Sequence, residues 1–113
     1  MSASPAAADD DSAERRGPCS AGRSEWRARI DDEGSRLKLE FKVNQHRAST
    51  DVWDMTVEYN GTVIFDGTRT SSGRDGEVRV RATVRDQAGA DTLRGVAVNQ
   101  STGVTCEGTV TLA

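Results

Sequence analysis

Residues that do chemistry are scarce in this chain. Histidine occurs once, at His46 in the polar stretch Asn44-Gln45-His46-Arg47, where it reads as solvated surface rather than a base or ligand. No HxxxH, HExxH or GxSxG pattern is present, and no P-loop. Ser72 and Ser101 have no neighbouring base to activate them. The Asp31-Asp32-Glu33-Gly34 turn lacks the alternating acidic spacing of a calcium loop. The sequons Asn60-Gly61-Thr62 and Asn99-Gln100-Ser101 read as turn asparagines. No catalytic residue, cofactor or metal site is therefore assigned, and an enzyme is not expected.

Aromatic residues are also few, at 4% of 113 residues, and hydrophobic residues reach only 35%. The core of this single 12.1 kDa domain must be thin, built on Val, Leu and Ala with Trp26, Phe41, Trp53, Tyr59 and Phe65 as bulky fillers. No run approaches the roughly 20 apolar residues of a membrane span. No apolar segment near residue 1 has the character of a signal peptide. The net charge of −3 argues against a generic nucleic-acid binder, although a local basic face can hide under an acidic total. Arginine outnumbers lysine thirteen to two, which with the abundant Ala, Gly, Asp and Thr suggests a GC-rich bacterial genome.

Charge and apolar character alternate without a break over residues 36–43 and 77–85. A period of two puts successive side chains on opposite faces, so each segment is a strand with one dry and one wet face. The same reading predicts strands over 26–30, burying Trp26, Ala28 and Ile30, and over 52–59, burying Trp53, Met55, Val57 and Tyr59. Further strands are expected over 92–99 and 104–111, with no helix. Residues 1–18 are Ala, Ser and Asp rich without periodicity, and are expected to be a disordered tail ahead of a domain spanning 19–113. Asn60-Gly61 marks a hairpin. A tight two-residue turn would expose Phe65, so a three-residue turn pairing Val57 with Val63 and Met55 with Phe65 is preferred. Residues 67–76 read as a flexible crossing loop.

Seven short strands, a tryptophan on the third and a close hairpin after it resemble an immunoglobulin-like or fibronectin type III-like sandwich. The segment Asp91-Thr92-Leu93-Arg94-Gly95-Val96-Ala97-Val98-Asn99, followed by Gly103, is similar to that family's F strand and F–G hairpin. Leu93 stands where the family has Tyr and Gly95 where it has Cys, so the tyrosine corner and the inter-sheet disulfide are both missing. The resemblance implies an all-β, seven-strand antiparallel sandwich, with sheets A-B-E and C-C′-F-G. The pattern also resembles small exported actinobacterial proteins that carry one cysteine before the first strand and another in the last.

The two cysteines, Cys19 and Cys106, are too far apart for a redox or zinc motif. They are either a bridge between neighbouring regions of a sandwich or two separate buried thiols. A bridge is the preferred reading, worth up to about 4–5 kcal/mol in the chain-entropy model. Disulfides persist in oxidising compartments, so the natural protein would be secreted or attached to the cell envelope, with Met1 in place of a removed signal sequence.

If alternation holds, one sheet face carries Arg27, Arg29, Arg36, Lys38, Lys42, Arg79, Arg81 and Arg85, opposed only by Glu40 and Glu77. That is a candidate anion-binding face for a cell-wall polymer. The absence of interleaved aromatics argues against single-stranded nucleic acid. The other sheet would show Asp54, Glu58 and Glu107, and an apolar patch of Ile64, Val96 and Val98 suited to a protein partner or a weak dimer. The expected function is a non-catalytic exported binding module. The alternative is a secreted inhibitor of an extracellular enzyme, inserting residues 67–76 or 44–51.

Overall fold

The computed structural model describes residues 11–113. Its eight strands are β1 (Ser12–Pro18), β2 (Glu25–Asp32), β3 (Arg36–Asn44), β4 (Val52–Tyr59), β5 (Thr62–Thr70), β6 (Glu77–Arg85), β7 (Asp91–Asn99) and β8 (Thr105–Leu112). They form two four-stranded antiparallel sheets, ordered β1-β2-β3-β6 and β5-β4-β7-β8. No helix occurs among the described residues, and none is therefore long and apolar enough to cross a membrane.

The alternation of apolar side chains builds the core as expected. Trp26, Ala28 and Ile30 of β2 and Leu37, Leu39, Phe41 and Val43 of β3 meet Trp53, Met55, Val57 and Tyr59 of β4, with Leu93 and Ala97 of β7. Burying one such large side chain contributes about 1.5–3 kcal/mol, so this layer is the main source of stability. The two sheets are stapled at one edge by the Cys19–Cys106 disulfide, which closes a sequence separation of 87 residues. The same edge is laced by Ser20 N–H donating to Thr105 O at 2.8 Å and Thr105 N–H donating to Ser20 Oγ at 2.9 Å.

Three expectations are corrected. The first is the tail. Ser12–Pro18 is a strand paired along its whole length with β2, making eight strands where seven were expected; residues 1–10 of the expected tail lie outside the described residues. An edge strand needs only one apolar side, and here Ala13 against the core and Gly17 against Trp26 suffice. The second is the hairpin. The turn is the tight Asn60-Gly61 pair, both with positive φ (49° and 83°), and it pairs Tyr59 with Thr62. The register shift comes later, between Val57 and Glu58, so that Val57 faces Phe65 and Ile64 is the extra residue. Phe65 is half-buried against the core in consequence. The third is the crossing loop. Residues 67–70 continue β5 opposite Val52–Met55. Arg69 lies over the Phe65 ring at 4.2 Å, and Ser71 is buried with its N–H donating to Asp51 O at 2.8 Å.

Candidate functional site

The eight cations singled out from the sequence all stand on strands β2, β3 and β6, where their apolar neighbours in sequence point into the core. The sheet brings them together, but not alone. Strand β1 adds Arg16 and Glu14; Glu25 and Asp31 extend β2; Glu33 sits in the following turn. With Glu40 and Glu77 the face holds nine cations and six carboxylates among the described residues, so the expected ratio of eight to two is corrected to a modest positive surplus.

Glu40 is the centre of this lattice. Arg27 and Arg81 both donate to its carboxylate, the latter at 2.9 Å, and Arg79 lies at 3.4 Å. Burial pushes the Glu40 carboxyl up, but hydrogen bonds from Arg81 and Arg27 and the charges of Arg27 and Arg79 outweigh it and hold it below the usual carboxylate range. Glu14 behaves the same way: burial raises it, and hydrogen bonds from Arg29 and Arg16 bring it down. Arg29 is gripped by both oxygens of Asp31 at 2.8 Å and by Glu14 at 3.1 Å, which raises its own pKa. Lys38 pairs with Glu33 at 3.6 Å, and Lys42 with Glu77 at 3.5 Å. An open groove of about 620 Å³ runs over Arg27, Arg29, Lys38, Glu40 and Arg81.

The outward alternation of Arg27, Arg29 and Asp31 was readable in the sequence, and extending β2 by two residues would have shown that carboxylate. Glu14 carried no such signal, because β1 has no apolar period of its own.

On the second sheet Leu93, Gly95 and Ala97 face inward, which puts Val96 and Val98 outward and half-buried. Ile64 does not join them, since it packs against the core beside Phe65, and Val63 takes the outer place opposite Glu58. Val96 sits between Thr56 and Glu107, and Val98 between Asp54 and Thr105. Val96 and Val98 thus adjoin on one face of β7 between polar residues of both neighbouring strands, and Ile64 stands apart from them. Arg94 bridges Glu58 at 3.4 Å and Glu107 at 2.5 Å on the same face.

At the end of the sandwich near the disulfide, a cleft of about 270 Å³ is lined by Arg23, Gln45, His46, Arg47 and Asn99. Its polar groups are largely used within the fold. His46 Nε2 meets Glu25 at 3.0 Å, Gln45 Nε2 donates to Gly76 O at 3.0 Å, and Asn99 Nδ2 donates to Asp51 at 3.0 Å. Among the described residues no group of three or more His, Cys, Asp or Glu side chains is arranged to hold a metal ion. No known protein family matches the chain, and no curated protein matches it in sequence.

Proposed function

We propose that this protein is a non-catalytic, exported binding module with an immunoglobulin-like sandwich, which engages an anionic cell-envelope polymer through the outer face of the β1-β2-β3-β6 sheet. The observation that carries the reading is the surplus of cations on one sheet face of a protein whose total charge is −3. A field of that kind attracts a polyanion from a distance while the rest of the surface repels it. The Cys19–Cys106 staple supports export, since such bonds persist outside the reducing cytosol. The arginine-rich composition and the placement of the two cysteines fit the small exported actinobacterial proteins that the sequence resembles. The test is retention of the intact protein on immobilised polyphosphate and heparin at about 20 mM salt, where screening is weak. Elution below about 0.3 M salt is expected, and passage without retention would sink the reading.

A second reading has its own observation. The two candidate loops are tied together, with Gln45 N–H donating to Asp75 O at 3.1 Å and Ser49 Oγ meeting Ser71 Oγ at 3.0 Å. Preorganised loops suit an inhibitor of an extracellular enzyme, because little ordering is needed on binding. A panel of secreted hydrolases assayed with and without the protein separates the two, since a polymer-binding module leaves all their rates unchanged.

A further inference from the structure

Six of the eight sequence-selected cations on the sheet face are engaged with carboxylates, and two are not. Arg36 opens β3 and Arg85 closes β6, and they are direct cross-strand partners. Alternation places both on the outer face, because Leu37 and Val84 beside them point inward. Neither makes an ion pair or a side-chain hydrogen bond among the described residues, whereas Arg27, Arg29, Lys38, Lys42, Arg79 and Arg81 all do. Like charges directly opposite one another on a sheet are destabilising, and among the described residues no acid pairs with either. The two arginines line an open hollow of about 780 Å³ whose other lining residues include Ser35 and Thr83. Asp86 is the acid on its rim, and it makes no ion pair with either arginine.

We propose that Arg36 and Arg85 form the seat for one tetrahedral oxyanion, a phosphate or sulfate group carried on a polymer. This rests on the reading of the sheet as a polyanion-binding face, and names the point where the polymer is gripped. The stoichiometry of hydrogen bonding selects the ligand. One guanidinium fork is enough for the two oxygens of a carboxylate. A tetrahedral group with three or four oxygens accepts two forks at once. Facing residues of an antiparallel pair stand about 4.5–5.5 Å apart at Cα, close enough for both forks to converge on a single group. The hydroxyls of Ser35 and Thr83 stand at the same hollow to receive a remaining oxygen. Elsewhere on the sheet an incoming anion must displace a carboxylate, whereas among the described residues none is paired with Arg36 or Arg85.

The experiment is titration of the full chain with long-chain polyphosphate, heparin and polyaspartate at low salt, for the wild type and for R36Q, R85Q, R79Q and R29Q. R36Q and R85Q should each weaken binding to polyphosphate or heparin by about tenfold or more, because a charge-assisted guanidinium contact is lost. R79Q and R29Q should change it by less than about threefold, since those side chains are already committed to Glu40, Glu77, Glu14 and Asp31. The polymer that binds more tightly identifies the group as phosphate or sulfate. Equal losses in all four variants would overturn the seat while leaving a diffuse cationic face. Polyaspartate binding as tightly as the other two polymers would overturn the preference for a tetrahedral group. A wild type that binds none of the three would overturn the polymer reading as well. Thermal melting guards against misfolding: R36Q and R85Q should melt at or slightly above the wild-type temperature, as the cross-strand repulsion is gone.

Discussion

Two aromatic rings occupy the space that side chains at positions 95 and 108 would need. A Cβ built on Gly95 overlaps Phe41, one on Gly108 overlaps Trp26, and one on Gly17 would also stand only 2.8 Å from the Trp26 ring. The ring of Phe41 thus lies on β7 where the resembled family has one half of its inter-sheet disulfide. G95A and G108A should each cost about 1–3 kcal/mol through overpacking, read as a lower urea midpoint with an unchanged slope. A second constraint sits at Tyr59, whose hydroxyl donates to the buried Asp91 carboxylate at 2.5 Å and accepts from Gln87 N–H at 3.2 Å. Y59F leaves that carboxylate short of a donor and should cost about 1–3 kcal/mol by thermal melting. Asp86 works against the fold. Partial burial, the charge and hydrogen bond of Asp91 and the charge of Asp32 raise its pKa above the ordinary 3.8. A carboxyl raised in the folded state binds more protons folded than unfolded, so stability falls as pH climbs through that window. D86N should therefore raise the melting temperature at pH 7, with the gain shrinking as the pH is lowered toward 4.

Strand β1 shows how far an element can be legible only through its neighbour. Its sequence, SAERRGP, has no apolar period, yet it covers the free edge of β2 and supplies Glu14 to Arg29. Deleting residues 1–18 should expose Trp26, lower the melting temperature and shift tryptophan emission to the red; unchanged values would mean that β1 adds nothing. Strands β3 and β6 were readable by contrast, because one face of each is dry and the other charged over nine residues. The run Val63-Ile64-Phe65 defeated the same rule. Three consecutive apolar residues carry no period of two, so the place of the bulge was set by packing and not by pattern. The candidate face was legible in its cations and illegible in most of its counter-charges, which came from an unforeseen strand and from the two ends of β2, one left outside the expected strand and the other taken for a turn. Glu40 can be tested from the same strand. With its folded pKa depressed, it stabilises above about 4.5 and loses that contribution as acid titrates it. E40Q should lower the melting temperature at pH 7 and, by freeing Arg27 and Arg81, tighten polymer binding.

At the scale of the whole molecule the single bridge dominates. In the chain-entropy model it removes about 4–5 kcal/mol of freedom from the unfolded chain. C19S should consequently lower the melting temperature by roughly 10–20 °C under oxidising conditions and by nothing further when reductant is added. An unchanged melting temperature would show that the thin core stands without it.

The position of that bridge also decides how the protein carries load. Cys19 follows the first described strand and Cys106 lies in the last, so tension applied to the two ends passes directly through the sulfur–sulfur bond. Only the segments outside the loop can be drawn out. Roughly 300 Å of contour, the extended length of the enclosed chain, stays slack under pull. Held between a surface and a ligand, the oxidised molecule is a nearly inextensible link, and reduction converts it into a long, compliant tether.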